Sequence, residues 1–196
     1  MEPIILASGS LRRQEYFRIL GLPFNIMPSR VNEDFDENLS PKEVTGMLAI
    51  RKVNKIVDLL QKAPPPWICG ADTIISLDGK ILGKPKDRND AAHILHKLQG
   101  RSHDVVTAVA LYNGRKKTVD CRSVSSTVTF AALSDDEIEW YLNTGEWQGV
   151  AGAYKIQGLA SCFISSINGS YSAIVGLPMR EFYAMLQENG YPYGST

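Results

Sequence analysis

Three cysteines are all that this chain of 196 residues contains, and Cys69, Cys121 and Cys162 are odd in number, widely spaced and without a C-x-x-C pair. That pattern argues against a disulfide framework or a structural zinc site and suits a reducing compartment. An excess of one charge is also missing, since lysine plus arginine and aspartate plus glutamate each number 21. No global field draws the molecule to a nucleic acid polymer or a membrane surface, so any anion site must be built from local charges. No apolar run approaches the length of a membrane span, and the first residues pass straight into fold-like sequence without the charged flank and apolar core of a secretory signal. The expected location is the cytoplasm. Walker A and nucleophile-elbow sequences are absent, as is any Glu-x-x-His arrangement. His93 and His96, spaced i, i+3, read as part of a surface helix that buries Ile94, Leu95 and Leu98 rather than as a ligand pair.

With 44% hydrophobic and 21% charged residues, the chain can bury a sizeable core. The expectation is one domain over residues 1–196, with two lobes around a cleft. Residues 4–7 form an apolar strand that runs into Ser8-Gly9-Ser10, and a helix from Leu11 stops at Gly21. Ser40-Pro41-Lys42-Glu43 is a capping box with proline at the first helical position; it starts a long helix to about Gln61, ended by Ala63-Pro64-Pro65-Pro66. The apolar residues of this helix fall in two sets, Val44, Met47, Leu48 and Val53, Ile56, Val57, Leu60, which predict two neighbours. A strand from Trp67 turns at Asp78-Gly79 toward Ile81, and a helix covers 87–98. Strands at 103–112 and 122–130 form an antiparallel ribbon turned at Asn113-Gly114. Ser134 to Glu137 is a second capping box for a helix closed by Gly145, residues 164–175 contain an Asn168-Gly169 turn, and Pro178 opens a last helix that stops near Gly190. Strands interleaved with helices predict an α/β fold around a mixed sheet.

Several positions carry chemistry. The amides of Ser8, Gly9 and Ser10, at a helix N-terminus beside Arg12 and Arg13, form a pattern suited to a phosphate, although the same residues also read as an ordinary strand-to-helix connection capped by Ser10. Asp72 lies in an otherwise apolar strand, where a carboxylate needs a metal, a cation or several donors, unless it caps a turn at the strand end. Lys84, after the hairpin, can return to the mouth of the sheet where Asp72 lies. Lys52 falls where the long helix changes apolar face and can point into a cleft or into water. Glu33, in an acidic run over 32–37, can give an oxygen to a hard divalent ion. Gln157, in a glycine-rich polar stretch over 149–158, carries an amide suited to reading a base edge.

Taken in order, Ser8-x-Ser10-x-Arg12-Arg13, Glu33, Lys52, Gly70-Ala71-Asp72-Thr73, Gly83-Lys84-Pro85, Gly145-Glu146, Ala151-Gly152-Ala153-Tyr154, Ile156-Gln157-Gly158, Gly169-Ser170-Tyr171 and Val175-Gly176-Leu177-Pro178 resemble the signature of the Maf family of nucleoside triphosphate pyrophosphatases along nearly the whole chain. The resemblance implies an elongated mixed β-sheet flanked by helices, two lobes around a central nucleotide cleft as in inosine triphosphate pyrophosphatases, and a homodimer at the level of the family. It further implies hydrolysis of a nucleoside triphosphate to monophosphate and pyrophosphate with a divalent cation, Mg²⁺ or Mn²⁺. Asp72 is then the general base, Glu33 and Asp72 hold the metal, and Ser8, Arg13, Lys52 and Lys84 bind the triphosphate. Arg12, Thr73 and Gln157 correspond to positions tied to base choice, and the threonine and glutamine resemble the dTTP/UTP type. Alternatives within the resemblance are a 7-methyl-GTP pyrophosphatase and a non-catalytic nucleotide-binding regulator of septum formation. Leu11, Trp147, Val150 and Lys155 depart from the usual pattern, the last two in the segment expected to line the base pocket.

Overall fold

The computed structural model describes residues 1–61 and 65–193. The chain runs β1 (Ile4–Leu6), α1 (Leu11–Ile19), β2 (Phe24–Ile26), α2 (Pro41–Leu59), β3 (Trp67–Leu77), β4 (Lys80–Leu82), α3 (Arg88–Leu98), β5 (Ser102–Asn113) and β6 (Thr118–Phe130). It continues through α4 (Asp135–Asn143), two 3-10 turns at Ala151–Ala153 and Leu159–Phe163, β7 (Ile164–Asn168), α5 (Tyr171–Val175) and α6 (Met179–Glu188). The seven strands form one mixed sheet in the order β2-β1-β3-β5-β6-β7, with β4 paired to β3. β1 is parallel to both β2 and β3, and all other pairs are antiparallel. No helix among the described residues is long and apolar enough to cross a membrane.

Local chemistry accounts for the element ends. Ser40 Oγ accepts from the Glu43 amide at 3.3 Å while the Glu43 carboxylate accepts from the Ser40 amide at 2.8 Å, and Ser134 with Glu137 repeats the arrangement. Asp78 and Gly79 both have positive φ, 52° and 77°, the two-residue turn that matches strand twist. The Asn113-Gly114 turn is longer than expected: Asn113 stays in the strand and its Oδ1 accepts from the amides of Arg115 and Lys116, so β6 starts at Thr118 and not near 122. Residues 164–175 are a strand followed by a one-turn helix, with Gly169, at a φ of +123°, between them. Of the expected stop for α2, Ala63 and Pro64 lie outside the described residues. β2 was not expected; its three residues are exposed or half-buried and show no alternation to detect.

β3 and β5 form the spine of the core and their faces divide it. Ile68, Ala108, Ala110 and Tyr112 pack under Ala49, Val53 and Ile56 of α2, and Ile74 and Val106 pack under Val44 and Leu48. The two apolar sets of α2 therefore cover two stretches of one sheet face. On the opposite face, Trp67, Cys69, Ala71, Val109 and Leu111 meet α1 and α6, while Ile75, Leu77 and Val105 meet α3 and α4. Ala91, Ile94, Leu95 and Leu98 are the buried residues of α3, with His93 and His96 outside, as its periodicity predicts.

Candidate active site

On one edge, β3 pairs with β1 at Ile68 and Cys69 and with β4 from Ile75 onward. Between them, Gly70–Ile74 has no registered partner on that side, and the gap lies just past the C-terminal end of the parallel strand β1. Ligands of open α/β sheets bind at such carboxyl ends. A cleft of about 1240 Å³ opens there, lined by residues of every sequence-predicted position: Ser8, Arg12, Arg13, Glu33, Lys52, Asp72, Thr73, Lys84 and Gln157. Because the strand edge is free, Asp72 from one sheet face and Thr73 from the other both reach it.

Asp72 sits mid-strand, opposite Ala108, and is 7% exposed, so it is not a turn cap. Its partner is Lys52, 8% exposed, whose Nζ lies 2.6 Å from Asp72 Oδ1 and 2.8 Å from Glu33 Oε1. Lys52 occupies the seam between the two apolar sets of α2, directly over the strand. This approach requires Gly70: a Cβ there would lie 2.7 Å from the Ala49 carbonyl oxygen and 2.9 Å from Val53 Cγ2. Arg51, one residue before Lys52, points the other way and donates from Nη1 to the carbonyls of Asn32 and Asp34, at 2.7 and 3.0 Å, which holds the acidic loop so that Glu33 turns inward. Lys84 Nζ is 3.7 Å from Glu33 Oε2. Burial raises the Glu33 pKa, but the hydrogen bond from Lys52 and the charges of Lys52, Lys84 and Arg13 outweigh it and hold the carboxyl below its ordinary value.

Arg13 forms the second node. Its Nε donates to the Gly176 carbonyl at 2.9 Å, Nη1 to Ser8 Oγ at 3.0 Å and Nη2 to Thr73 Oγ1 at 3.2 Å. Ser8 Oγ also accepts from the Ser10 amide at 3.2 Å. With both lone pairs engaged, the Ser8 hydroxyl proton is left for an anion. The Ser10 amide, expected to face a phosphate, is thus used internally, and Ser10 makes no side-chain cap on α1. Gly9 is not demanded by the fold, since a Cβ there meets nothing closer than Pro28 Cγ at 3.7 Å. Desolvation lowers the pKa of Arg13, with Asp72 opposing, and lowers that of Arg12, whose buried Nε has no hydrogen-bond partner.

Gln157 is exposed at the far wall, on the polar 149–158 segment, which contains a 3-10 turn at Ala151–Ala153. Tyr154 of that segment reaches inward, its hydroxyl 2.8 Å from His103 Nε2, and burial pushes His103 down to about 4. Glu146 accepts from the Leu159 amide at 3.0 Å and covers Gly158, fixing the turn just after Gln157. Sequence reasoning missed Arg30 and Lys80 as cleft cations, and Gly176 and Thr107 as groups behind the wall; Lys155 lines the cleft in the segment where the sequence placed it. Arg30 carried one structural sign, a φ of +45°, that no sequence pattern announces.

As for a metal, Glu33 and Asp72 present two carboxylates that share one ammonium, an all-oxygen set suited to a hard cation whose remaining ligands come from a substrate. The donor chemistry fits magnesium or manganese.

The chain is 44% identical over 192 residues to a dTTP/UTP pyrophosphatase of Symbiobacterium thermophilum, covering 98% of this chain and 96% of that one. It is 44% identical to a dTTP/UTP pyrophosphatase of Escherichia coli O157:H7, covering 95% and 92%, and 41% identical to one of Bacillus velezensis, covering 94% and 95%. Among solved structures, the Ham1 protein of Staphylococcus aureus aligns at 18% identity with a TM-score of 0.45, over 66% of this chain and 72% of that one. The family described as Maf-like protein matches residues 3–189, and the chain belongs to it.

Proposed function

We propose that this chain hydrolyses dTTP and UTP to the monophosphate and pyrophosphate. The observation that carries the reading is the Asp72–Lys52–Glu33 array, set beside Arg13 at a free strand edge in a cleft with room for a nucleotide. Asp72 is the general base. It takes a proton from a water whose oxygen bonds to the α-phosphorus, the bond from that phosphorus to the α–β bridging oxygen breaks, and pyrophosphate leaves with the electron pair. A positioned base contributes about 10² to 10⁴-fold, so the greater part of the acceleration is electrostatic. Lys52, Lys84, Arg13 and the Ser8 hydroxyl neutralise and orient the triphosphate. Glu33 and Asp72 are the residues that would hold Mg²⁺ or Mn²⁺, which supplies Lewis-acid polarisation of the phosphate when bound. Gln157, Arg12 and Thr73 set base choice, and uracil and thymine present the same hydrogen-bonding edge to them. The three unpaired cysteines accord with a cytoplasmic site of action.

The test is pyrophosphate release across a panel of nucleoside triphosphates with Mg²⁺ or Mn²⁺. UTP and dTTP should be the best substrates, and Asp72→Asn should lose about 10² to 10⁴-fold in kcat while remaining folded. Preference for 7-methyl-GTP would move the chain to the other substrate class, and binding without turnover would make it a regulator.

A further inference from the structure

Thr107 is a fully buried hydroxyl on β5 and does not line the cleft. It stands in register with Thr73 across the β3–β5 pair, their Oγ1 atoms 2.9 Å apart, and its Oγ1 is also 2.7 Å from the Ala173 carbonyl of α5. A hydroxyl has one proton, and a carbonyl oxygen can only accept. The single Thr107 proton lies between the Thr73 oxygen and the Ala173 carbonyl, and the Thr73 oxygen accepts from Arg13 as well. Arg13 needs an acceptor there, because its Nη2 can only donate, and Thr107 fixes where that oxygen stands. The same short helix supplies the other anchor, since Gly176, its C-terminal cap, accepts from Arg13 Nε. Of the five N–H groups of the guanidinium, three are committed, to Gly176, Ser8 and Thr73, which leaves one on each terminal nitrogen for the substrate.

We infer that Thr107 is a positioning residue: by holding the Thr73 oxygen in place it aims the free edge of Arg13 at the triphosphate, with α5 as the fixed end of the chain of contacts. Its hydroxyl meets the cleft lining at Thr73. The inference rests on the phosphate-binding role proposed above for Arg13. It also gives a definite role to the segment over 169–178, which contributes no charged group to the cleft. Two of its carbonyls hold the guanidinium, one directly and one through two hydroxyls.

The experiment measures affinity for inorganic tripolyphosphate, which has no base, together with kcat/KM for UTP. Thr107→Val should weaken tripolyphosphate binding about five- to tenfold and lower kcat/KM for UTP by a similar factor, the range expected for one lost hydrogen bond between uncharged groups. Thr107→Ser, which keeps the hydroxyl, should stay within about twofold of the starting protein. In an Arg13→Ala background, Thr107→Val should change neither quantity further. A folded Thr107→Val with unchanged tripolyphosphate affinity overturns the inference, as does a serine variant no better than the valine, or a full effect that persists without Arg13. Should the valine variant not fold with the Ala173 carbonyl unpaired, Thr73→Val carries the same expectation and the same refutation. If the unmodified protein binds tripolyphosphate but these variants bind it equally well, the positioning role alone fails. If the unmodified protein neither binds it nor releases pyrophosphate from any nucleotide, the enzyme reading fails first.

Discussion

Lys52 shows how one side chain can be worth more to function than to stability. A buried ammonium between two carboxylates has lost most of its hydration, and what it regains from Asp72 and Glu33 is offset by their own desolvation. Removing only the cation leaves a buried carboxylate without a partner, which costs about 3 to 5 kcal/mol; removing both charges does not. Lys52→Met should therefore lower unfolding stability by about that amount, and Lys52→Met with Asp72→Asn should recover most of it while staying inactive. Urea denaturation of the four proteins in the cycle measures this, and additive losses would show that the 2.6 Å contact contributes no coupling. Lys52 is buried along its methylene stem as well as at its ammonium, which is why methionine, and not alanine, is the informative replacement.

At the scale of elements, the position of α2 over β3 sets the geometry of the site. The closeness of the two depends on Gly70, where any side chain would run into the Ala49 carbonyl and Val53. Gly70→Ala should push the helix outward, cost about 1 to 3 kcal/mol of stability and reduce kcat more than it raises KM, since the separation of Lys52 and Asp72 grows while Arg13 and Ser8 remain in place. A thermal shift with unaltered kcat would detach the helix position from the chemistry. The elements themselves were largely legible where local chemistry decides them. Both capping boxes, the Asp78-Gly79 hairpin and the stops at Gly21, Gly145 and Gly190 are signals carried within four residues. Where tertiary contact decides, the sequence was silent. β2 is a strand because the parallel edge of β1 is available to it. The 149–163 segment turns as 3-10 helix because Glu146 and His103, which lie outside it, hold its Leu159 amide and its Tyr154 hydroxyl. α5 follows β7 because Ser126 of β6 accepts from the Ser170 amide and Ser170 Oγ caps the turn.

The whole molecule carries equal numbers of acidic and basic residues, yet its cleft does not. Arg12, Arg13, Arg30, Lys52, Lys80, Lys84 and Lys155 line it against Glu33, Glu37 and Asp72, an excess of four positive charges gathered from distant parts of the chain. The carboxylate, the two lysines and the arginine turn were visible in the sequence as residue types that needed partners; which partner each would find was not, because Lys52 meets Asp72 only through the packing of α2 and Arg13 meets Gly176 only through the return of α5. The balance of the cleft was equally hidden, since Arg30 and Lys80 read as solvated surface charges in the sequence and stay exposed at the rim of the cleft. A focused positive field in an otherwise neutral protein attracts a polyanion over several ångströms and weakens as salt shortens the Debye length, from about 10 Å at 0.1 M to about 3 Å at 1 M. Raising the salt concentration across that range should raise KM for UTP several-fold and leave kcat nearly constant, because the contacts around Asp72 are buried and little screened. Lys84, whose 3.7 Å pair with Glu33 is half exposed, belongs to the field more than to that buried centre. Lys84→Ala should therefore raise KM at low salt and flatten its salt dependence, whereas Gln157→Ala, which alters no charge, should leave the slope untouched. A salt-independent KM in the parent protein would mean that the excess charge of the cleft is neutralised before the nucleotide arrives.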